Sequence, residues 1–114
     1  MIEWQKLTDI TQIENLVEES KKQPVVIFKH STSCSISSTA KSRLERQWSD
    51  NGLGALKPYY LDLLAYRPVS NEVAQFFQVQ HQSPQLLLIQ DGVCTYDGSH
   101  MSIQLGEVKK RINA

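Results

Sequence analysis

The stretch Pro24-Val-Val-Ile-Phe28 constrains the fold of this chain more than any other feature. Four consecutive apolar residues leave no polar face. The segment therefore suits a strand covered on both sides, and that covering takes two layers of helix. The flanking sequence supplies them. Upstream, Ile10, Ile13, Leu16 and Val17 recur at helical period, and Thr11 with Glu14 has capping-box spacing. This predicts a helix from about Thr11 to Lys22. Downstream, Ile36, Ala40, Leu44 and Trp48 repeat every fourth residue, and the polar side carries Lys41, Arg43, Glu45 and Arg46. This predicts a helix that opens at Ser33 or Cys34 and runs to about Asp50, with "NGLG" after it as the stop.

The segment "KPYYLDLL" (57–64) reads as a second strand, and "AYRPVS" as a loop whose Ser70 caps a short helix through Val73, Phe76 and Phe77. The two phenylalanines are adjacent, so at most one points fully inward. "QLLLIQ" and "VCTY" flank Asp91-Gly92, a strong hairpin signal. Ser102 is the expected cap of a last helix, with Leu105, Val108 and Ile112 inward and Lys109, Lys110 and Arg111 near its negative end. Residues 2–7 add a short strand. The order α-β-α-β-α-β-β-α demands one right-handed parallel crossover and then a hairpin of antiparallel strands. The expected fold is α/β with three layers: a central mixed sheet of four or five strands, flanked by helices on both faces, in one domain over residues 1–114.

Twelve basic and twelve acidic residues give a formal net charge of zero. Nucleic acid and anionic membranes both select a basic surplus, so neither is expected as a partner. No apolar run approaches a membrane span, and "MIEWQKLTDI" lacks the pattern of a secretory signal, which makes the cytoplasm the expected location. Cys34 and Cys94 are the two cysteines, too few for a disulfide framework. His30, His81 and His100 have no close-spaced Cys or His companion of the kind a zinc site needs, and His30 with Cys34 makes at most half a site, so no metal site and no bound cofactor are expected.

"HSTSCSIS" (30–37) sets Cys34 among small hydroxyl residues, where the buried strand hands over to a helix. A free cysteine is commonly a small buried hydrophobe. The alternative is a thiolate at a helix start. A helix N-terminus or a nearby cation lowers a thiol from its ordinary pKa of about 8.5 to roughly 3.5–7.5. Lys29 or His30 would add to this if pointed at the sulfur, and the amides of Ile36 and Ser37 can donate to it. Lys29 is otherwise the solvated end of a strand. His30 is either a local hydrogen bonder or a proton donor to a leaving thiol. Ser33 and Ser35 flank the cysteine, and a run of hydroxyls also suits a plain helix cap. Cys94 alternates with Val93 and Thr95 and reads as strand packing, while His81 and His100 read as surface-loop residues. A Cys-x5-Arg phosphate loop is excluded, because position 40 is Ala40.

The element order, Cys34 at the strand-to-helix junction and Ser83-Pro84 just before "QLLLI" together resemble the thioredoxin fold. Its members carry a nucleophilic cysteine at that junction and a cis-proline before that strand. "FKHSTSCSIS" with "HQSPQLLLIQDG" more closely resembles the monothiol bacilliredoxins of the YtxJ type, over almost the whole chain. Their motif reads approximately Lys-His-Ser-x-x-Cys-Pro-Ile-Ser. Lys29, His30, Ser31, Cys34, Ile36 and Ser37 match it, and Ser35 stands where the family has proline. Ser37 occupies the position at which dithiol oxidoreductases hold a resolving cysteine. The iron–sulfur monothiol glutaredoxins resemble Cys-Gly-Phe-Ser here, and Cys34-Ser-Ile-Ser37 keeps only the ends of that pattern.

The resemblance implies a monothiol disulfide oxidoreductase of redox homeostasis. Cys34 would be its nucleophile, and Lys29, His30, Ser33, Ser35, Ile36, Ser37, Ser83 and Pro84 its thiolate-stabilising and substrate-binding surroundings. The implied partners are S-bacillithiolated client proteins, with bacillithiol as the thiol co-substrate. The expected oligomeric state is monomer or weak dimer. Serine in place of the family proline loosens the turn and leaves a second reading, a thioredoxin-fold binding module that performs no exchange.

Overall fold

A computed structural model of the protein describes residues 4–31, 35–48, 56–100, 103 and 105–112. The elements are β1 (Gln5–Lys6), α1 (Thr11–Ser20), β2 (Val25–His30), α2 (Ser35–Gln47), β3 (Lys57–Asp62), α3 (Arg67–Phe77), β4 (Gln85–Gln90), β5 (Val93–Ser99) and α4 (Leu105–Ile112). They form one five-stranded sheet in the order β1-β3-β2-β4-β5. The pairs β1/β3 and β2/β3 are parallel, while β2/β4 and β4/β5 are antiparallel. The expected mixed sheet is therefore present with its N-terminal strand, shortened to Gln5–Lys6.

Side chains that alternate along the strands divide the core in two. Val25, Ile27, Leu61, Leu87 and Ile89 pack on Ile13 and Leu16 of α1 and on Val69, Val73 and Phe77 of α3. Val26, Phe28, Leu86 and Leu88 pack on Ala40 and Leu44 of α2 and on Leu105 and Val108 of α4. Every residue of β2 is buried, including the polar pair Lys29 and His30. The strand sits between β3 and β4 with helices on both faces, which is why its sequence shows no polar face.

Several local expectations are corrected. Thr11 does not form a capping box with Glu14. Its amide and hydroxyl donate to Asp9 Oδ1 (2.9 and 3.1 Å), and Gln12 Oε1 accepts from the amides of Thr8 and Asp9 (2.7 and 2.9 Å). Ser70 is no cap: α3 begins earlier because Pro68 suits a first helical turn, and Ser70 lies buried inside it. In α2, Ile36 is 53% exposed and the inward stripe is Ser37, Ala40 and Leu44. Phe77 faces the core and Phe76 the solvent, as adjacency requires. Asp91 and Gly92 both take positive φ (54° and 77°), the conformation of a tight two-residue hairpin. That turn also closes α1: Ser20 accepts the Asp91 amide at its carbonyl (3.0 Å) and the Gly92 amide at Oγ (2.8 Å). The helix start at Ser33 or Cys34, its end at Asp50, the "NGLG" stop and the Ser102 cap lie outside the described residues.

Candidate active site

One end of the sheet gathers most of the residues singled out in the sequence. The register sets His30 beside Asp62, and Lys29 beside Gln85, which in turn faces Ser99. Pro84, immediately before β4, is thereby at the same end as the C-termini of β2, β3 and β5. The Ser83–Pro84 bond is cis, and the Pro84 carbonyl accepts from the His100 amide (3.0 Å). The chain leaves β2 through Ser31 and opens α2 at Ser35. Ser33 and Cys34 fall between these points and lie outside the described residues.

His30 and Lys29 point to opposite faces, as neighbours in a strand must. The His30 ring packs between Phe28 and Tyr60, with centroids 5.8 and 5.6 Å away. Its Nδ1 lies 2.6 Å from Ser37 Oγ in a hydrogen bond, and Ser37 Oγ also accepts the Ser31 amide (3.0 Å). Ser37 is fully buried, so its hydroxyl ties the end of β2 to the first turn of α2. Burial, reinforced by the positive charge of Lys41, holds His30 below the ordinary histidine pKa. The ring is thus neutral near pH 7.

Lys29 is not the solvated end of a strand. It has no exposed surface, and its Nζ donates to the Ser70 carbonyl (3.2 Å) and to His81 Nδ1 (3.2 Å) on the α3 side. Burial pulls the amine down to about 8. His81 is not a free loop residue either. Burial and the nearby cations Lys29 and Arg67 lower its pKa, which keeps Nδ1 available as an acceptor. Gln85, also buried, donates to the Gln80 carbonyl (3.0 Å) and accepts the Gln82 amide (3.4 Å). The segment before cis-Pro84 is therefore fixed to β2, α3 and β4. Within it, Ser83 Oγ is buried with no partner among the described residues.

Sequence reading missed this Lys29–Ser70–His81 cluster. The signal for part of it was available: a strand buried on both faces must bury a lysine inside it. On the solvent side of the helix start, Ser35 and Ile36 are exposed and line a shallow cleft of about 140 Å³ with Arg43 and His100. Cys94 stands at the other end of the sheet, opposite Ile89, which pairs with Val25 at the start of β2. Burial, with the charge of Asp97, pushes its thiol up to about 11, and its Sγ donates to the Tyr96 carbonyl (3.3 Å).

A family model described as monothiol bacilliredoxin BrxC matches residues 5–108. This chain belongs to that family. Among solved structures, the bacilliredoxin is similar to a chain described as an oxidoreductase candidate with a thioredoxin fold. The two are 28% identical over 92% of this chain and 89% of that one, with a TM-score of 0.77. Two thioredoxins share the fold at lower identity. That of Malassezia sympodialis is 14% identical over 100% of this chain and 94% of its own, with a TM-score of 0.78. That of Fasciola hepatica is 17% identical over 95% and 98%, with a TM-score of 0.73. Bacilliredoxin membership and the thioredoxin fold support a thiol redox role. Among the described residues, no helix of this bacilliredoxin is long and apolar enough to cross a membrane.

Proposed function

We propose that this bacilliredoxin removes bacillithiol from protein mixed disulfides in the cytoplasm, with Cys34 as its nucleophile. The observation that carries the one-thiol form of the reaction is Ser37. The side chain three positions after Cys34 is a buried hydroxyl already bonded to His30 and Ser31, so no second sulfur stands there to close an internal disulfide.

In this reading the Cys34 thiolate attacks the bacillithiol sulfur of the client's mixed disulfide. The new S–S bond forms between Cys34 and bacillithiol, the old one breaks, and the client leaves as a thiolate that takes up a proton. A second bacillithiol thiolate then attacks the same bacillithiol sulfur, forms bacillithiol disulfide and returns Cys34 as a thiolate. No external electrons are needed: one disulfide is exchanged for another. The opening turn of α2 supplies amides at Ile36 and Ser37 and the positive end of a helix dipole. His30 holds that turn through Ser37. Lys29 acts on the thiolate by its charge at a distance, since its protons are engaged with Ser70 and His81. Ser33 and Ser35 border the sulfur in sequence, and Pro84 with the unpartnered Ser83 hydroxyl receives the disulfide.

The test is release of bacillithiol from a modified client, followed by mass spectrometry. Cys34→Ala is expected to abolish release and Cys94→Ala to leave it largely intact. Full activity in the Cys34→Ala protein refutes the mechanism.

A further inference from the structure

Among the described residues, a cleft lies on each of two flanks of α2. The shallow one, at Ile36, Arg43 and His100, lies on the flank of Pro84. The other has a volume of about 500 Å³ and opens between α2, β1, β3 and the turn after β3. That volume is within the range of small-molecule sites, roughly 300–1,000 Å³, and its lining combines charged groups with aromatic surface. Lys6 and Lys41 bring two ammonium groups, Asp62 one carboxylate, and Trp4, Tyr60 and Tyr66 aromatic faces. Asp62 Oδ1 accepts the amides of Leu64 and Ala65 (3.2 and 3.4 Å), while its other oxygen has no hydrogen bond among the described residues. Lys6 has no side-chain partner among them either. Lys41 pairs with Glu45 (2.9 Å) and sits 5.7 Å from the Tyr60 ring centre, in reach of the cleft. The wall formed by Tyr60 is shared with His30, which is bonded to Ser37 in the first turn of α2. The cleft therefore adjoins the start of the helix.

We propose that this cleft holds the non-thiol part of a low-molecular-weight thiol that carries carboxylate and hydroxyl groups. Its carboxylates meet Lys6 and Lys41, its hydroxyl or ammonium donors meet the free oxygen of Asp62, and its carbon skeleton lies on the aromatic faces. The inference rests on the proposed function and deepens it: the adduct is recognised on one flank of α2 and the client polypeptide is received on the other.

The experiment compares one client protein modified with bacillithiol and, separately, with cysteine, which lacks the extra groups. The wild-type protein is expected to favour the bacillithiol adduct. In the Lys6→Ala/Lys41→Met variant the ratio of kcat/KM for the two adducts falls by about tenfold, as loss of charge-assisted contacts predicts, and Lys41→Arg restores most of it. An unchanged ratio, or an equal fall for both adducts, overturns the proposal while leaving the proposed function standing. Calorimetric titration of bacillithiol disulfide into the Cys34→Ala protein reads the cleft without turnover: binding weakened by Lys41→Met supports it, and absence of binding overturns it. A wild-type protein that processes neither adduct overturns the proposed function instead, and the titration still decides the cleft.

Discussion

Lys29 has a carbonyl and an imidazole as partners and, among the described residues, no carboxylate. Its charge is thus retained in the fold at a cost, and the amine's pKa falls to about 8. An unfolded lysine keeps its proton to about pH 10.4. Between these values the unfolded chain binds the extra proton, so stability rises as pH increases from about 8 to about 10, by at most about 1.4 kcal/mol per pH unit. Below that window the contribution is flat. Thermal unfolding of the wild type and Lys29→Met at several pH values is expected to show the wild type gaining on the variant only above pH 8 or so. Parallel pH profiles would mean that Lys29 is not desolvated as its burial indicates. The burial of Lys29 was legible in part from the sequence, since it follows Ile27 on the same face of a doubly covered strand. Its partners were not. His81 is 52 positions away, and hydrophobic period carries no record of which polar groups meet across such a span. The same holds for Ser37, whose hydroxyl looks in sequence like any other member of a serine-rich run.

The opening of α2 illustrates how a correct helix can be given the wrong face. Ile36, Ala40, Leu44 and Trp48 form a good apolar row in sequence, yet the buried row is Ser37, Ala40 and Leu44. A serine won the inward position because it bonds the end of β2, and the isoleucine was left beside the shallow cleft. Ser35 is the first described residue of this helix and is exposed. Its amide is one that a helix leaves without an intrahelical partner, so proline there removes no helical bond and pre-sets φ. Ser35→Pro is expected to stabilise the protein by about 0.4–1 kcal/mol and to raise or preserve de-thiolation activity. The checks are denaturant unfolding and the client-release assay on one preparation. Unfolding or complete inactivation would show that the turn needs the serine itself. The other elements were legible from period, punctuation and the Asp91-Gly92 turn. The N-cap of α1 was not, because Asp9 and Gln12 do together what Thr11 and Glu14 were expected to do.

Cys94 lies at the end of the sheet away from Pro84 and His30. β2 is six residues long, so at roughly 3.3 Å per residue Cys94 is about 16 Å along the sheet from the end where Pro84 and His30 meet. Its raised thiol pKa of about 11 leaves it almost entirely protonated at neutral pH. Brief iodoacetamide treatment of the native protein at pH 7 is expected to add one label, on Cys34, and treatment in urea to add two. Two labels on the native protein would contradict the half-buried, protonated state of Cys94. Element order and layer composition were readable because each depends on a local pattern. The ties that close the molecule, such as Ser20 to Gly92 across 72 positions, depend on which ends of the chain meet. The sheet order has a further consequence, for synthesis. β2 lies between β3 and β4, and both follow it in the chain. On the ribosome, this strand of four consecutive apolar residues and the cysteine just after it emerge with neither neighbour yet made. Until residues 85–90 appear, Cys34 is a thiol on an unfinished chain, open to capture by the same low-molecular-weight thiol that the finished protein is proposed to remove from its clients.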